Sequence, residues 1–189
     1  MEHDMVTSEL DPNIYWIDIN NIIVAVCGPW DQFACANNGQ NVLGINIKGT
    51  SIFTYINGDD TQMWFEALLQ QARLTKLDVT RPYRCDSPNV KRFMSMSIKY
   101  ENSGILKVQH TILSIEERKK TIQIEYANPW TNGLIYQRCS SCGHIRNNNI
   151  WTEPGSGELL NITNYRVIYS VCPTCLASLK SRVAQYGGV

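Results

Sequence analysis

The sequence predicts an α+β protein: a five-stranded antiparallel sheet with helices on one face, followed by a small cysteine-rich module. Three observations point there. Alternation of apolar and polar residues runs through 94–100 and resumes at 106, on either side of the turn-forming Glu101-Asn102-Ser103-Gly104. One amphipathic helical pattern lies between these runs and an earlier pair of apolar runs. Four of the seven cysteines are gathered into two C-x-x-C pairs late in the 189 residues.

Ile14-Tyr15-Trp16-Ile17-Asp18-Ile19 reads as a first strand and Ile22 to Cys27 as its return. Asn20-Asn21 between them suits the positive φ angles of a tight hairpin turn. Trp30 to Ala36 fits a short helix, ended by Asn37-Asn38-Gly39, and a further short element carries Val42-Leu43-Gly44. The clearest helix starts at Asp59, with Gln62 three residues later as in a capping box. Its apolar positions Trp64, Phe65, Leu68, Leu69 and Ala72 recur at helical spacing as far as about Leu77. Tyr83 to Asp86 reads as a strand broken by Ser87-Pro88. In the last hairpin Met94, Met96, Ile98 and Tyr100 share one face, and Ser95, Ser97 and Lys99 the other. Leu106, Val108 and Ile112 then point to the core, and Lys107, Gln109 and Thr111 to water. Sequentially adjacent strands can all pair antiparallel, which gives the sheet.

Composition narrows the function classes. Apolar residues are 43% and charged residues 18%, so a packed core forms and wholesale disorder is excluded. Lys+Arg and Asp+Glu are both 17 and cancel. A protein that grips nucleic acid by neutralising phosphates carries a basic excess, so zero net charge argues against that class. No apolar run approaches the roughly 20 residues needed to span a bilayer. Met1 to Pro12 is polar and lacks the basic and apolar regions of a secretion signal. The expectation is a cytoplasmic protein without membrane contact. Its units are an N-terminal segment over 1–12, a sheet domain over 13–118 and a cysteine module with a C-terminal helix over 119–189. The charged run Glu116-Glu117-Arg118-Lys119-Lys120 between the last two reads as a solvated strand end or linker.

An odd number of cysteines without a signal peptide argues against a disulfide framework. Cys27, Cys35 and Cys85 stand alone and read as small buried apolar residues. Cys139 and Cys142 lie in Arg-Cys-Ser-Ser-Cys-Gly-His, and Cys172 and Cys175 in Val-Cys-Pro-Thr-Cys. Each pair can form a knuckle that aims both sulfurs at one metal, with Gly143 freeing the first turn and Pro173 fixing the second. Four thiolates suit tetrahedral Zn²⁺ and leave no open position, so the ion would be structural and coupled to folding. Iron on the same ligands, or a redox pair, are the alternatives. His144, two residues after Cys142, reads as a surface or neighbouring residue and stays open as a fifth ligand. Gly143 breaks the C-x-x-C-H pattern of haem attachment. The stretch between the pairs has room for a strand, the Asn147-Asn148-Asn149 turn, Trp151, the Gly155-Ser156-Gly157 loop and a returning strand at Tyr165 to Val171.

Several pieces recur in a meaningful order. They are Tyr15-Trp16-Ile17-Asp18 with its hairpin, Trp30 with Phe33, Val42-Leu43-Gly44, Phe53 to Ile56 ahead of Asp59-Asp60, and Tyr83 to Pro88 ahead of the last hairpin. Together they resemble a PAS domain over about residues 13–116. Cys139 to Cys142, Trp151 and Cys172 to Cys175 resemble the zinc-ribbon-like segment that follows PAS domains in some bacterial signalling proteins, over about 134–180. The resemblance implies a sensory or protein-interaction fold, at times with a small ligand between sheet and helices. It does not imply which ligand, because PAS domains share a fold and not a cofactor. Trp16, Met94, Met96, Tyr100 and His110 are the candidates to line such a pocket, His110 as a hydrogen-bond partner or a haem ligand. The competing reading of each is core filling.

Other charged groups offer less chemistry. Arg81, Arg84, Lys91 and Arg92 form a positive cluster suited to an acidic partner or, more simply, to a solvated strand edge. Asp59-Asp60 is explained by a helix start rather than by acid–base work. Three histidines assemble no nucleophilic triad, and no glycine-rich phosphate loop occurs, so no catalytic residue is assigned. No kinase, phosphatase or cyclase pattern follows Cys175. The expectation is a non-enzymatic signalling module that acts by contact with another signalling protein and forms a symmetric homodimer. The alternative is a regulatory nucleic-acid-binding protein using the zinc module, where Arg138, Arg146, Arg166, Lys180 and Arg182 give a modest positive bias.

Overall fold

The computed structural model describes residues 11–127 and 132–183. Most of the predicted N-terminal segment lies outside the described residues. Strand β1 (Asn13–Ile17) and β2 (Ile23–Cys27) form the first hairpin. Only Asn21 of the two turn asparagines takes a left-handed φ, at 62°. The turn is closed by the Asp18 carboxylate, which accepts from the amides of Asn20 and Ile22 at 2.8 and 2.9 Å. Helix α1 (Trp30–Ala36) matches its expected limits and ends at Asn37, with Asn38 left-handed. A 3₁₀ turn and the short α2 (Gly44–Ile47) follow.

The long helix α3 (Asp59–Thr75) starts differently from its predicted capping box. Its N-cap is Gly58, at φ 87°, and Gln62 donates instead to the Ile56 carbonyl at 2.8 Å. The reason is packing. A Cβ on Gly58 would come within 2.9 Å of the Tyr169 carbonyl oxygen, so no side chain fits there. Lys76 turns left-handed and stops the helix before Leu77.

Strands β3 (Val79–Arg84), β4 (Val90–Tyr100) and β5 (Leu106–Glu117) complete an antiparallel sheet of order β2-β1-β5-β4-β3. This is the α+β class and five-stranded sheet expected. Leu68, Leu69 and Ala72 of α3 are buried against Ile17, Ile23, Ile98, Leu106 and Val108. Each of these leucine, isoleucine and valine side chains stabilises the fold by about 1.5–3 kcal/mol. The alternation of β5 holds through Val108. A register shift between Phe93 and Met94 then places Met94 opposite Ile112, and Leu113 and Ile115 beyond it are exposed.

A second sheet, of order β6-β10-β7-β8-β9, follows. Its strands are β6 (Gln123–Tyr126), β7 (Tyr136–Cys139), β8 (Ile145–Asn147), β9 (Ile150–Thr152) and β10 (Asn164–Ser170), and helix α4 (Pro173–Val183) comes last. Its core is Ile122, Ile145, Leu159, Tyr165 and Val167. The β7–β8–β9 part is antiparallel and ribbon-like, but β10 runs parallel to both β6 and β7. The crossover over 153–163 carries the chain back along the sheet, so β10 runs in the same direction as β7.

Of the charged boundary, Glu116, Glu117, Lys119 and Lys120 are exposed as expected, and Arg118 is the exception. The Arg118 side chain is 4% exposed and the Asp86 side chain 3%. Arg118 donates to Asp86 at 2.7 Å, Arg84 at 2.7 Å, and Arg138 from the second sheet at 3.1 Å. Glu153, after β9, pairs with Arg84 and Arg118 and lies 3.7 Å from the Lys91 ammonium. Arg84, Lys91 and Arg118 thus belong to the junction between the sheets rather than to a solvated edge. The isolated cysteines also depart from expectation. Cys27, at the end of edge strand β2, and Cys35, on α1, are exposed, and Cys85 is partly buried. Removing the central carboxylate by Asp86→Ala leaves three guanidinium groups without their shared partner. The expected loss is about 3–5 kcal/mol of unfolding free energy, measured by urea denaturation. A loss under about 1 kcal/mol would show that the junction does not depend on Asp86.

Candidate metal centre and apolar cavity

Parallel pairing of β7 with β10 places Cys139 opposite Ser170, so both C-x-x-C turns leave the same end of the sheet. The first turn is a tight knuckle. The Cys139 amide donates to the His144 carbonyl at 2.8 Å, and the Gly143 amide to the Cys139 carbonyl at 2.9 Å. Gly143 takes φ 74°, with Arg138, Arg84 and Asp86 atoms packed about where a side chain would start. The second turn is a helix start. Cys172 stands just before α4 and Pro173 is its first residue, a position that needs no amide donor. The Cys172 sulfur accepts from the Cys175 amide at 3.4 Å, in the manner of an N-cap.

The four sulfurs of Cys139, Cys142, Cys172 and Cys175 all lie within 4.8 Å of one another. Cys142 Sγ and Cys172 Sγ are 3.8 Å apart. A tetrahedral ion with metal–sulfur bonds of about 2.3 Å requires sulfur–sulfur edges of about 3.8 Å. The electrostatics favour an anionic sulfur at Cys139, while the thiols of Cys142 and Cys175 that bond to it are pushed up. Hydrogen bonds from the Cys142 and Cys175 thiols and the Cys172 amide pull the Cys139 thiol far below its ordinary range, against burial. Cys142, whose proton serves that bond, is pushed up. The positive end of α4 adds to the stabilisation of charge on this cluster. Such a quartet can hold a metal ion with its coordination filled by protein. His144 is not part of it. Its side chain is 40% exposed and its Nε2 lies 3.8 Å from Glu153.

The knuckle is docked on the first sheet. The Arg84 amide donates to the Ser141 carbonyl at 2.8 Å, and Ser140 Oγ lies 2.6 Å from Thr61 Oγ1 on α3. Ser170 Oγ donates to Asp60 at 2.7 Å, which gives this exposed helix-start carboxylate a docking role. The basic residues of the second sheet are engaged elsewhere. Arg138 holds Asp86, Arg146 bonds Gln137 and Asn149, and Arg166 bonds the Asn132 carbonyl.

A cavity of about 440 Å³ lies between the first sheet and α1, lined among others by Trp30, Phe33, Tyr55, Tyr83, Met94 and His110. Of the five predicted pocket residues it contains Met94 and His110. Trp16, Met96 and Tyr100 do not line it. Trp16 alternates with buried Tyr15 and Ile17 and so lies on the other face, donating to Glu101 and covered by Lys107. Met96 is core, and Tyr100 packs under Lys76 with its hydroxyl accepting from the Gly104 amide. Sequence reasoning missed Asn13, which also lines the cavity and is 8% exposed. Asn13 shares the inner face with Tyr15 and Ile17, which the sequence did not reveal because both faces of β1 are apolar.

His110 Nδ1 is 2.8 Å from the Tyr83 hydroxyl, and its ring stacks on Tyr15 at 5.6 Å. Burial holds the His110 imidazole down to about 4 and pushes the Tyr83 phenol well above its usual value. Among the described residues no helix is long and apolar enough to cross a membrane. No family model matches the chain, and no curated protein matches it.

His110 makes stability depend on pH in a definite direction. Its folded value of about 4 lies below the ordinary 6.5, so between these the unfolded chain binds more protons. Stability present above about pH 6.5 is therefore lost as the pH falls toward 4. The expected loss attributable to His110 is about 2–3 kcal/mol, allowing for some solvent access through the cavity. It is read as the difference in pH slope between the wild type and His110→Gln in chemical denaturation. Parallel slopes would refute it.

Proposed function

We propose that the chain is a non-enzymatic cytoplasmic signalling module: a PAS-like domain takes up a small ligand or a protein partner, and a structural zinc ion shapes the C-terminal module. Zinc is favoured by the donor set, since four thiolates in a tetrahedron are its commonest structural site and reduced cysteines suit a reducing compartment. A full thiolate shell leaves no position for a reacting water, which supports the non-enzymatic reading. The antiparallel sheet with helices on one face and an apolar cavity beneath them supports the PAS-like reading.

The observation that carries the proposal is the division of one stretch of backbone, the end of β3 and the two residues after it, between two sites. Tyr83 and Cys85 line the cavity. Arg84, through Ser141 and Glu153, and Asp86, through Arg138, hold the cysteine module. A ligand in the cavity touches the same backbone that fixes the module, and it acts by favouring one arrangement of the two over another. Exposed Leu113 and Ile115 on β5 support self-association into a symmetric dimer.

Native mass spectrometry of the full chain, purified without added metal, tests this reading. One zinc per chain, a dimeric mass and a retained small molecule are expected. Absence of zinc, or iron in its place, would remove the structural-zinc assignment. Brief alkylation is a second readout: Cys27 and Cys35 react at once, while the four ligand cysteines are protected until a strong chelator is added. Immediate labelling of all seven would count against a bound ion.

A further inference from the structure

The cavity carries its own chemical specification. Its wall is aromatic and aliphatic, and no Asp, Glu, Lys or Arg belongs to it among the described residues. A charged ligand would lose its water there without gaining a counter-charge, which disfavours it strongly. The low value of His110 and the high value of Tyr83 report the same environment.

Several polar groups of the wall are satisfied from within. Trp30 Nε1 donates to the Val42 carbonyl at 2.7 Å. The Tyr55 hydroxyl lies 3.0 Å from Thr50 Oγ1, and the Tyr83 hydroxyl 2.8 Å from His110 Nδ1. The Asn37 amide donates to the Phe33 carbonyl at 2.9 Å. Asn13 Oδ1 is different. Among the described lining residues it is the one buried side-chain nitrogen or oxygen without a hydrogen-bond partner. Asn13 is paired directly opposite His110 in the β1–β5 register, so this acceptor sits beside the His110–Tyr83 pair. An unpaired buried acceptor is destabilising, and a ligand N–H or O–H would recover that loss.

We infer that the cavity takes a small neutral ring compound with one hydrogen-bond donor, anchored on Asn13 Oδ1 beside the His110–Tyr83 pair. The rings of Trp30, Phe33 and Tyr55 supply flat apolar contact. The volume suits a molecule of two fused rings with modest substituents. The inference rests on the proposed reading of the cavity as a small-ligand site, and it adds the ligand's charge and polarity.

Four naphthalene probes of matched shape test it on the full, zinc-loaded chain by isothermal titration: naphthol, methoxynaphthalene, naphthoate and naphthylmethylammonium. Naphthol, neutral with one donor, is expected to bind at least tenfold tighter than methoxynaphthalene, which lacks the donor. The two ions are expected to bind weakest. In Asn13→Leu the preference for naphthol over methoxynaphthalene falls to about one. Ala34→Phe, which fills the cavity from α1, abolishes binding of all four. The wild-type ratio stands as a test even if a variant fails to fold. Equal binding of naphthol and methoxynaphthalene overturns the donor anchor. Tighter binding of either ion overturns the neutral class and leaves the cavity standing as a ligand site. No binding of any probe, with zinc retained, overturns both the inference and the small-ligand reading.

Discussion

A carboxylate almost wholly removed from water holds three guanidinium groups, and the way the two sheets meet depends on it. Asp86 accepts from Arg84 beside it, from Arg118 at the end of the first sheet and from Arg138 in the second. A buried charge is costly, so the group is tolerable only while its partners are in place. Glu153 adds a second acid. Burial alone would raise its value, but the Arg84 hydrogen bonds, with Lys91 and Arg118 nearby, hold it below the usual carboxylate range. Burial likewise works against the Arg84 charge, and the bonds to Asp86 and Glu153 outweigh it. Planar guanidinium forks can share one carboxylate at short range, which ammonium groups do less well. Any slippage between the sheets would strand a charge, so the network acts as a register pin.

That pin sits between the two places where chemistry is concentrated. On one side, Arg138 immediately precedes Cys139, and the Arg84 amide bonds the Ser141 carbonyl in the same knuckle. On the other, Tyr83 and Cys85 face the cavity. Pleating makes this possible, since successive side chains of a strand point to opposite faces. The cysteine knuckle and the cavity therefore share one stretch of backbone, with Arg84 bonded to the knuckle and Tyr83 and Cys85 lining the cavity. The docking of Ser140 and Ser170 onto the first turn of α3 closes the arrangement from the helical side.

The errors of sequence reading have identifiable causes. In β1 both alternating sets are largely apolar, Ile14 and Trp16 against Tyr15 and Ile17, so periodicity could not choose a face for Trp16. Asp59 and Gln62 carry the pattern of a capping box. The close approach of Tyr169, from a part of the chain more than a hundred residues away, puts a glycine at the cap instead. Arg84 and Arg118 look like surface charges because the two acids that bury them, Asp86 and Glu153, are recognised as partners only once the sheets are assembled.

What local spacing dictates is the set of elements. Helix limits at Trp30 and Ala36, the alternating hairpin around Gly104 and the identity of the four thiols all follow from short-range rules of period, turn chemistry and ligand type. Those rules reach only a few residues. The assembled chain alone decides that β10 lies parallel to β7, which brings two turns some thirty residues apart to one end of a sheet. It alone decides that Asn13 meets His110 across β1 and β5. Strand direction and long-range register are set by burial of the whole core and by pairing of its buried charges, and no local pattern contains either.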